Sequence, residues 1–152
     1  MRRLNMKNLH CLSLIACLFA TPLFGEELRK ADISTALADS IRAANQVRIV
    51  TQIANEKITS TVQNPKGLFE LALQLTMAEY KDVGLRWHGT MRPIEFWKDS
   101  KKLCMVSLDG TEILRIEVPG FGVSDYNVGR KTVEAVEQWS SQVLGASTPV
   151  KS

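Results

Sequence analysis

Apolar and polar positions alternate most regularly in residues 93–118, PIEFWKDSKKLCMVSLDGTEILRIEV. Asp99-Ser100 and Asp109-Gly110 divide the stretch into three runs, and the middle run holds the block Leu103-Cys104-Met105-Val106. Apolar and β-branched runs bounded by such turn residues predict a three-stranded meander, its middle strand covered on both faces. Alternation in the first run sends Ile94 and Phe96 inward and leaves Glu95 and Trp97 on the opposite face.

Upstream the period changes. Ile33, Leu37, Ile41 and Ala44 recur at helical spacing and predict an amphipathic helix over residues 31–44, with Asp32 at its N-cap and Asn45 turning the chain. Residues 46–53, QVRIVTQI, alternate again, with Val47, Ile49, Thr51 and Ile53 on one side and Arg48 and Gln52 on the other. A weaker run follows at residues 57–62, where Ile58, Ser60 and Val62 share a face, and its low apolar content predicts an edge strand. Asn64-Pro65 marks a helix start, Asn as cap and Pro at the first helical position. Leu68, Leu71, Ala72 and Leu75 form its stripe, widened by Phe69 and Leu73, which makes this the expected most buried helix.

Residues 81–92, KDVGLRWHGTMR, fit neither period and read as a loop with at most a short strand at 85–87. Residues 119–127, opened by Pro119-Gly120-Phe121-Gly122, read as a second loop. A last helix is predicted from about residue 128 to 144, capped by Asn127, with Val133, Val136, Ser140 and Val143 inward and Gly145 as its C-cap. The resulting order is α-β-β-α-β-β-β-α. Strands joined by hairpins predict an α+β fold: an antiparallel sheet of about five strands with helices packed on one face.

The first 25 residues have a separate logic. Arg2, Arg3 and Lys7 precede an apolar run from Leu9 to Ala20, and Pro22 and Gly25 lead into Glu26-Glu27. That is the layout of a secretory signal peptide, too short in its apolar run to span a membrane. Leu14-Ile15-Ala16-Cys17 offers a second outcome, because it resembles the lipobox of bacterial lipoproteins, in which the cysteine is lipidated. The expected organisation is a leader at 1–25, a single domain at 26–145 and a polar tail at 146–152. The expected location is exported, periplasmic or extracellular, with a lipoprotein as the alternative.

Removing the leader changes the charge. Three of the 19 Lys and Arg lie in it and none of the 16 Asp and Glu, so the remainder carries 16 of each. A balanced surface gives no electrostatic footprint for nucleic acid. Cys11 and Cys17 also fall within the leader, which leaves Cys104 unable to form an internal disulfide and placed in the most apolar strand as a core thiol.

Motifs for chemistry are sparse. After the leader His88 is the sole histidine, and no Cys/His pair has metal-ligand spacing, so no metal or other cofactor is expected. Ser107, His88 and Asp109 supply the residue types of a hydrolase triad without a nucleophile-elbow motif around the serine. Gly120-Phe121-Gly122 begins like a dinucleotide loop, but Asp125 stands where the third glycine belongs, and its charge repels phosphate. Glu95 and Glu117 share a face as ordinary surface acids.

The strongest candidate interaction patch is Arg86, Trp87, His88, Arg92 and Trp97, since tryptophan and arginine anchor interfaces and the loop leads into the sheet. The competing role for Trp87 is packing over the sheet edge. Phe121 and Tyr126 of the later loop are possible extensions of the patch. These features predict a non-enzymatic exported domain that binds a protein, peptide or envelope component. The alternatives are a small-ligand-binding or hydrolytic enzyme with a site near 81–92 and 119–127, and a lipid-anchored envelope protein modified at Cys17. In spacing and alternation the chain after the leader resembles the small exported α+β domains of unknown function in bacterial genomes; the resemblance brings no motif and assigns no residue a role.

Overall fold

The computed structural model describes residues 33–53, 56–86 and 91–145. Residues 33–43 form helix α1, followed by β1 (Gln46–Ile53), β2 (Glu56–Gln63), α2 (Leu68–Thr76), β3 (Lys81–Asp82), β4 (Arg92–Lys98), β5 (Lys101–Leu108), β6 (Ile113–Val118), β7 (Gly122–Asn127) and α3 (Arg130–Gly145). The strands make one sheet in the order β2-β1-β4-β5-β6-β7-β3, and each neighbouring pair is antiparallel. The α+β class and the antiparallel sheet are those the sequence predicts. The expected leader with Cys17 and the tail at 146–152 lie outside the described residues, and no described helix is long and apolar enough to cross a membrane.

One face of the sheet is the core. Val47 and Ile49 of β1, Ile94 and Phe96 of β4, Cys104, Val106 and Leu108 of β5, and Leu114, Ile116 and Val118 of β6 are all buried. The register sets these residues side by side, Val47 against Phe96, Ile94 against Val106 and Val106 against Ile116. α1 contributes Ile33, Leu37, Ala38 and Ile41 to the same cluster, and α3 contributes Val133, Val136, Trp139 and Val143. Phe96 stacks on Trp139 with ring centroids 5.8 Å apart. Tyr80 meets Tyr126 edge-on at 5.6 Å, and its hydroxyl donates to the Leu75 carbonyl at 2.7 Å. Burying each large side chain stabilises the fold by about 1.5–3 kcal/mol.

Among the described residues seven strands replace the expected five. The region 119–127, expected as a loop, holds β7, paired with β6 along its length from Val118↔Gly122 to Ile113↔Asn127. Local pattern hides this strand because Gly120 and Gly122 punctuate its start and a charged residue, Asp125, sits at its most buried position. β3 is at Lys81–Asp82 and no strand forms at residues 85 and 86. Asn127 therefore ends a strand, where its side-chain oxygen accepts the Gly129 amide at 3.1 Å, and α3 starts at Arg130.

α2 departs most from expectation. It begins at Leu68, not at Pro65, because Asn64 (φ 47) and Gly67 (φ 75) both turn left-handed. Trp139 of α3 donates its indole N–H to the Lys66 carbonyl at 3.0 Å. A Cβ on Gly67 would lie 3.1 Å from that indole nitrogen, so both conformation and space call for glycine there. α2 is not the most buried of the described helices: Leu71, Ala72 and Leu75 face the core, while Phe69, Leu73 and the C-cap Met77 are 61%, 45% and 78% exposed. Its sequence is apolar on both sides, and only the packed face could be chosen by the neighbours.

Candidate functional site

The other face of the sheet has no described helix packed on it, and the residues alternating with the core point there. Across β1, β4, β5, β6 and β7 the register aligns Arg48, Glu95, Met105, Glu117 and Val123 in one row, and Pro93, Ser107, Arg115 and Asp125 form a second row from β4 to β7. Trp97 lies beside the first row, opposite Gln46.

Trp97 is held from several sides. The Arg48 guanidinium lies 3.9 Å from its ring centroid, a cation–π contact of about 0.5–1 kcal/mol at a partly exposed site. The Trp97 indole N–H donates to Glu95 Oε2 at 3.0 Å, and Arg48 Nη2 donates to Gln46 Oε1 at 3.3 Å. Among the described residues no acidic side chain forms an ion pair with Arg48. At the end of the strand, Asn45 joins β1 to the β4–β5 turn: its amide donates to the Trp97 carbonyl at 3.0 Å and its side chain to Asp99 Oδ1 at 2.8 Å. Asp99 and Ser100 both have positive φ (48 and 71), the conformation that a two-residue hairpin requires.

A bulge brings a second cation to the face. The β4–β5 register passes from Phe96↔Cys104 to Trp97↔Lys102, skipping Leu103, which packs against the core. The extra residue re-aims Lys102, and its Nζ pairs with Glu117 Oε1 at 2.8 Å. Two strands away from Glu95, Glu117 is thus neutralised, and the two acids lie about 10 Å apart across the sheet with Met105 between them.

At the far end of the second row, Asp125 is fully buried. Arg115 donates to it twice, from Nε to Oδ1 at 2.8 Å and from Nη2 to Oδ2 at 3.0 Å. The Arg86 amide donates to Oδ2 at 2.8 Å, and Arg115 Nη2 donates back to the Arg86 carbonyl. Residues 83–86 are so tied down over β6 and β7, with the Val83 amide on the Asp125 carbonyl at 3.0 Å. The hydrogen bonds that Arg115 donates to Asp125 raise its pKa above the ordinary value and keep the guanidinium charged.

Of the expected patch, the three described residues, Arg86, Arg92 and Trp97, do not share one surface. Trp97 lies on the uncovered face. Arg92 shares the helix-covered side with Ile94 and Phe96, and its Nη2 reaches Glu137 of α3 at 3.8 Å. Arg86 is exposed at the end of the 83–86 segment, its Nε donating to the Val83 carbonyl. Trp87 and His88 lie outside the described residues. Of the possible extensions, Tyr126 is in the core and Phe121 is 39% exposed in the β6–β7 turn.

Other candidates find ordinary places. Cys104 is 1% exposed; burial, with Glu117 nearby, pushes its thiol up to about 12 despite the opposing charge of Lys102. Ser107 is buried, and Asp109 Oδ1 accepts from the Thr111 amide and hydroxyl in the β5–β6 turn. Among the described residues no group of three or more His, Cys, Asp or Glu side chains is placed to hold a metal ion.

Sequence reasoning missed Arg48 and Asp125 as site residues. Alternation places Arg48 on the polar side of β1, but its stacking on Trp97 depends on β1 lying against β4, some 50 residues on, which no local pattern encodes. A lone acid in a glycine-rich loop reads as solvated, and only the pairing with Arg115 shows Asp125 to be a buried anchor. No family model matches the chain, and neither a curated protein nor a solved structure matches it.

Proposed function

We propose that this protein is an exported, non-enzymatic binding domain that engages a protein or peptide through the uncovered face of its sheet. Arg48 and Trp97 make the anchor, and Glu95 and Met105 flank it. The observation that carries the reading is the Arg48 guanidinium, spread over the Trp97 ring at 3.9 Å with no acidic side chain among the described residues in ion-pair contact. Arginine and tryptophan held on a paired sheet are the residue types that dominate binding energy at interfaces. A half-exposed, preordered guanidinium suits a carboxylate, with an apolar neighbour for the indole and Met105 to contact. The preferred ligand is therefore an acidic segment carrying at least one apolar side chain. Export is supported by the charge, length and breaker pattern of residues 1–25.

A photo-crosslinking residue in place of Met105, in the cells that make the protein, tests the surface. The expected result is a discrete adduct that disappears in Trp97→Ala and Arg48→Ala variants that remain folded, and that is not formed by the same probe at Leu73 on α2. An adduct indifferent to Trp97→Ala would remove the uncovered face from consideration. Mass spectrometry of the purified protein's N-terminus tests export: a start near Glu26, or a diacylated Cys17, is expected, and an intact Met1 is not.

A further inference from the structure

The two edges of the sheet are unlike. At one end β3 is two residues long, a short edge paired with Tyr126 and Asn127 of β7. At the other end β2 runs for eight residues, EKITSTVQ, with no proline and a continuous register to β1 from Ile53↔Glu56 to Gln46↔Gln63. Of the usual protections against pairing it carries only two charged residues at its start, Glu56 and Lys57. Ile58 on this strand is 46% exposed. Beside the other end of the strand lies a groove of about 480 Å³ lined by Val62, Pro65, Gly67, Trp139 and Val143, among others.

We infer that β2 pairs antiparallel with β2 of a second copy of this chain, about a two-fold axis at Ser60. Backbone parity selects this register. Ile53↔Glu56 closes a two-residue hairpin, so Glu56, Ile58, Ser60 and Val62 turn their N–H and C=O groups toward β1. The groups of Lys57, Thr59, Thr61 and Gln63 then point outward, unpaired. Two such edges bond only if outward residues face outward residues. Centring the axis on Ser60 sets Lys57 against Gln63 and Thr59 against Thr61 of the second copy, and uses all four. About eight new N–H···O bonds result, whereas a shift of two residues either way shortens the overlap.

Side chains agree with the same register. On the core side, Ile58 of each copy comes opposite Val62 of the other, at the mouth of the groove under Trp139, so each exposed isoleucine gains an apolar seat. On the uncovered side, Thr59 and Thr61 meet as a cross-strand threonine pair. Glu56 comes alongside the Asn64–Lys66 turn of the second copy, an acid toward a base, and Lys57 meets a neutral Gln63, so no like charges oppose. The interface is isologous and closes after two copies, which leaves β3 as the outer edge at both ends of a continuous sheet. The inference does not rest on the binding role of Arg48 and Trp97, whose faces would lie on one side of the joined sheet.

Sedimentation velocity of the purified full chain at high micromolar concentration tests it, with cysteine crosslinking to fix the register. Expected are a species of twice the monomer mass and rapid disulfide formation in Ser60→Cys, where a non-hydrogen-bonded pair faces itself across the axis. Thr59→Cys, opposite Thr61, should crosslink at least tenfold more slowly. Thr59→Pro removes an outward N–H that β1 does not use, so a folded monomer is expected. Ile58→Glu, a surface change in the monomer, should also give a folded monomer and covers the case in which the proline variant fails to fold. A wild-type monomer at this concentration overturns the inference, as does equal crosslinking at positions 59 and 60, or a dimer that survives Ile58→Glu. A monomer that still forms the Trp97-dependent adduct would reject the dimer alone.

Discussion

Phe96 and Trp97 are neighbours in sequence on opposite faces of the same strand, and they divide the molecule's labour. Phe96 is 1% exposed and stacked on Trp139, one of a layer of aliphatic and aromatic side chains shared with the helices. Trp97 is half-buried among an arginine, a glutamate and a lysine, held by directional contacts to side chains of its own sheet. The first face specifies the fold through volume and burial. The second is free to carry charge because its backbone is already satisfied by the strands on either side.

Truncations on the two faces should separate sharply. Phe96→Ala leaves a cavity under α3 and is expected to cost about 3–5 kcal/mol in urea unfolding, whereas Trp97→Ala should cost under about 1 kcal/mol. Equal losses would mean that the uncovered face is itself a core. Second in size is Asp125→Ala, at about 2–3 kcal/mol, because it strands the Arg86 amide and one side of the Arg115 guanidinium. Hydrogen exchange should show the Arg86 amide losing its protection while the amides of β5 keep theirs.

Alkaline pH tests the buried face without mutation. Cys104 is raised by burial from an ordinary 9.0 to about 12, and Tyr80 is raised from its ordinary 10.0 by burial and by Tyr126. Both groups are neutral when protonated and give up their protons more readily once unfolded. Their contribution is therefore complete below about pH 9 and is lost progressively as pH rises toward 12. Urea midpoints between pH 8 and 11 should fall, with a shallower slope in Cys104→Ala. The smallest effect belongs to Lys102→Ala on the uncovered face, where loss of the Lys102–Glu117 pair at 2.8 Å should change stability by no more than about 1 kcal/mol.

How far the sequence reveals this division depends on distance along the chain. The α1 stripe and the β4–β6 meander are legible because their partners are local: Ile33, Leu37 and Ile41 repeat every turn, and Ile94 and Phe96 alternate with Glu95 and Trp97. β2 is legible as an edge from its weak apolar content. The α2 stripe is legible too, since Leu71, Ala72 and Leu75 are buried as the spacing predicts, but the exposure of Phe69 and Leu73 is not, because the stack of Arg42 over Phe69 at 5.6 Å leaves no local signature. β7 and its buried acid depend on Arg115, one strand away, and the Arg48–Trp97 anchor depends on β1 meeting β4.

The pairing of Gln46–Ile49 with Ile94–Trp97 also has a temporal consequence. A ribosome makes β1 and β2 first, yet the slot they occupy is not complete until β4 has followed some 50 residues later. During that interval the hairpin has two open sides and an apolar face with no floor beneath it, the kind of nascent surface that chaperones cover. β4 to β7, by contrast, can assemble by successive local turns, so the C-terminal half is expected to template the N-terminal half, reversing the order of synthesis.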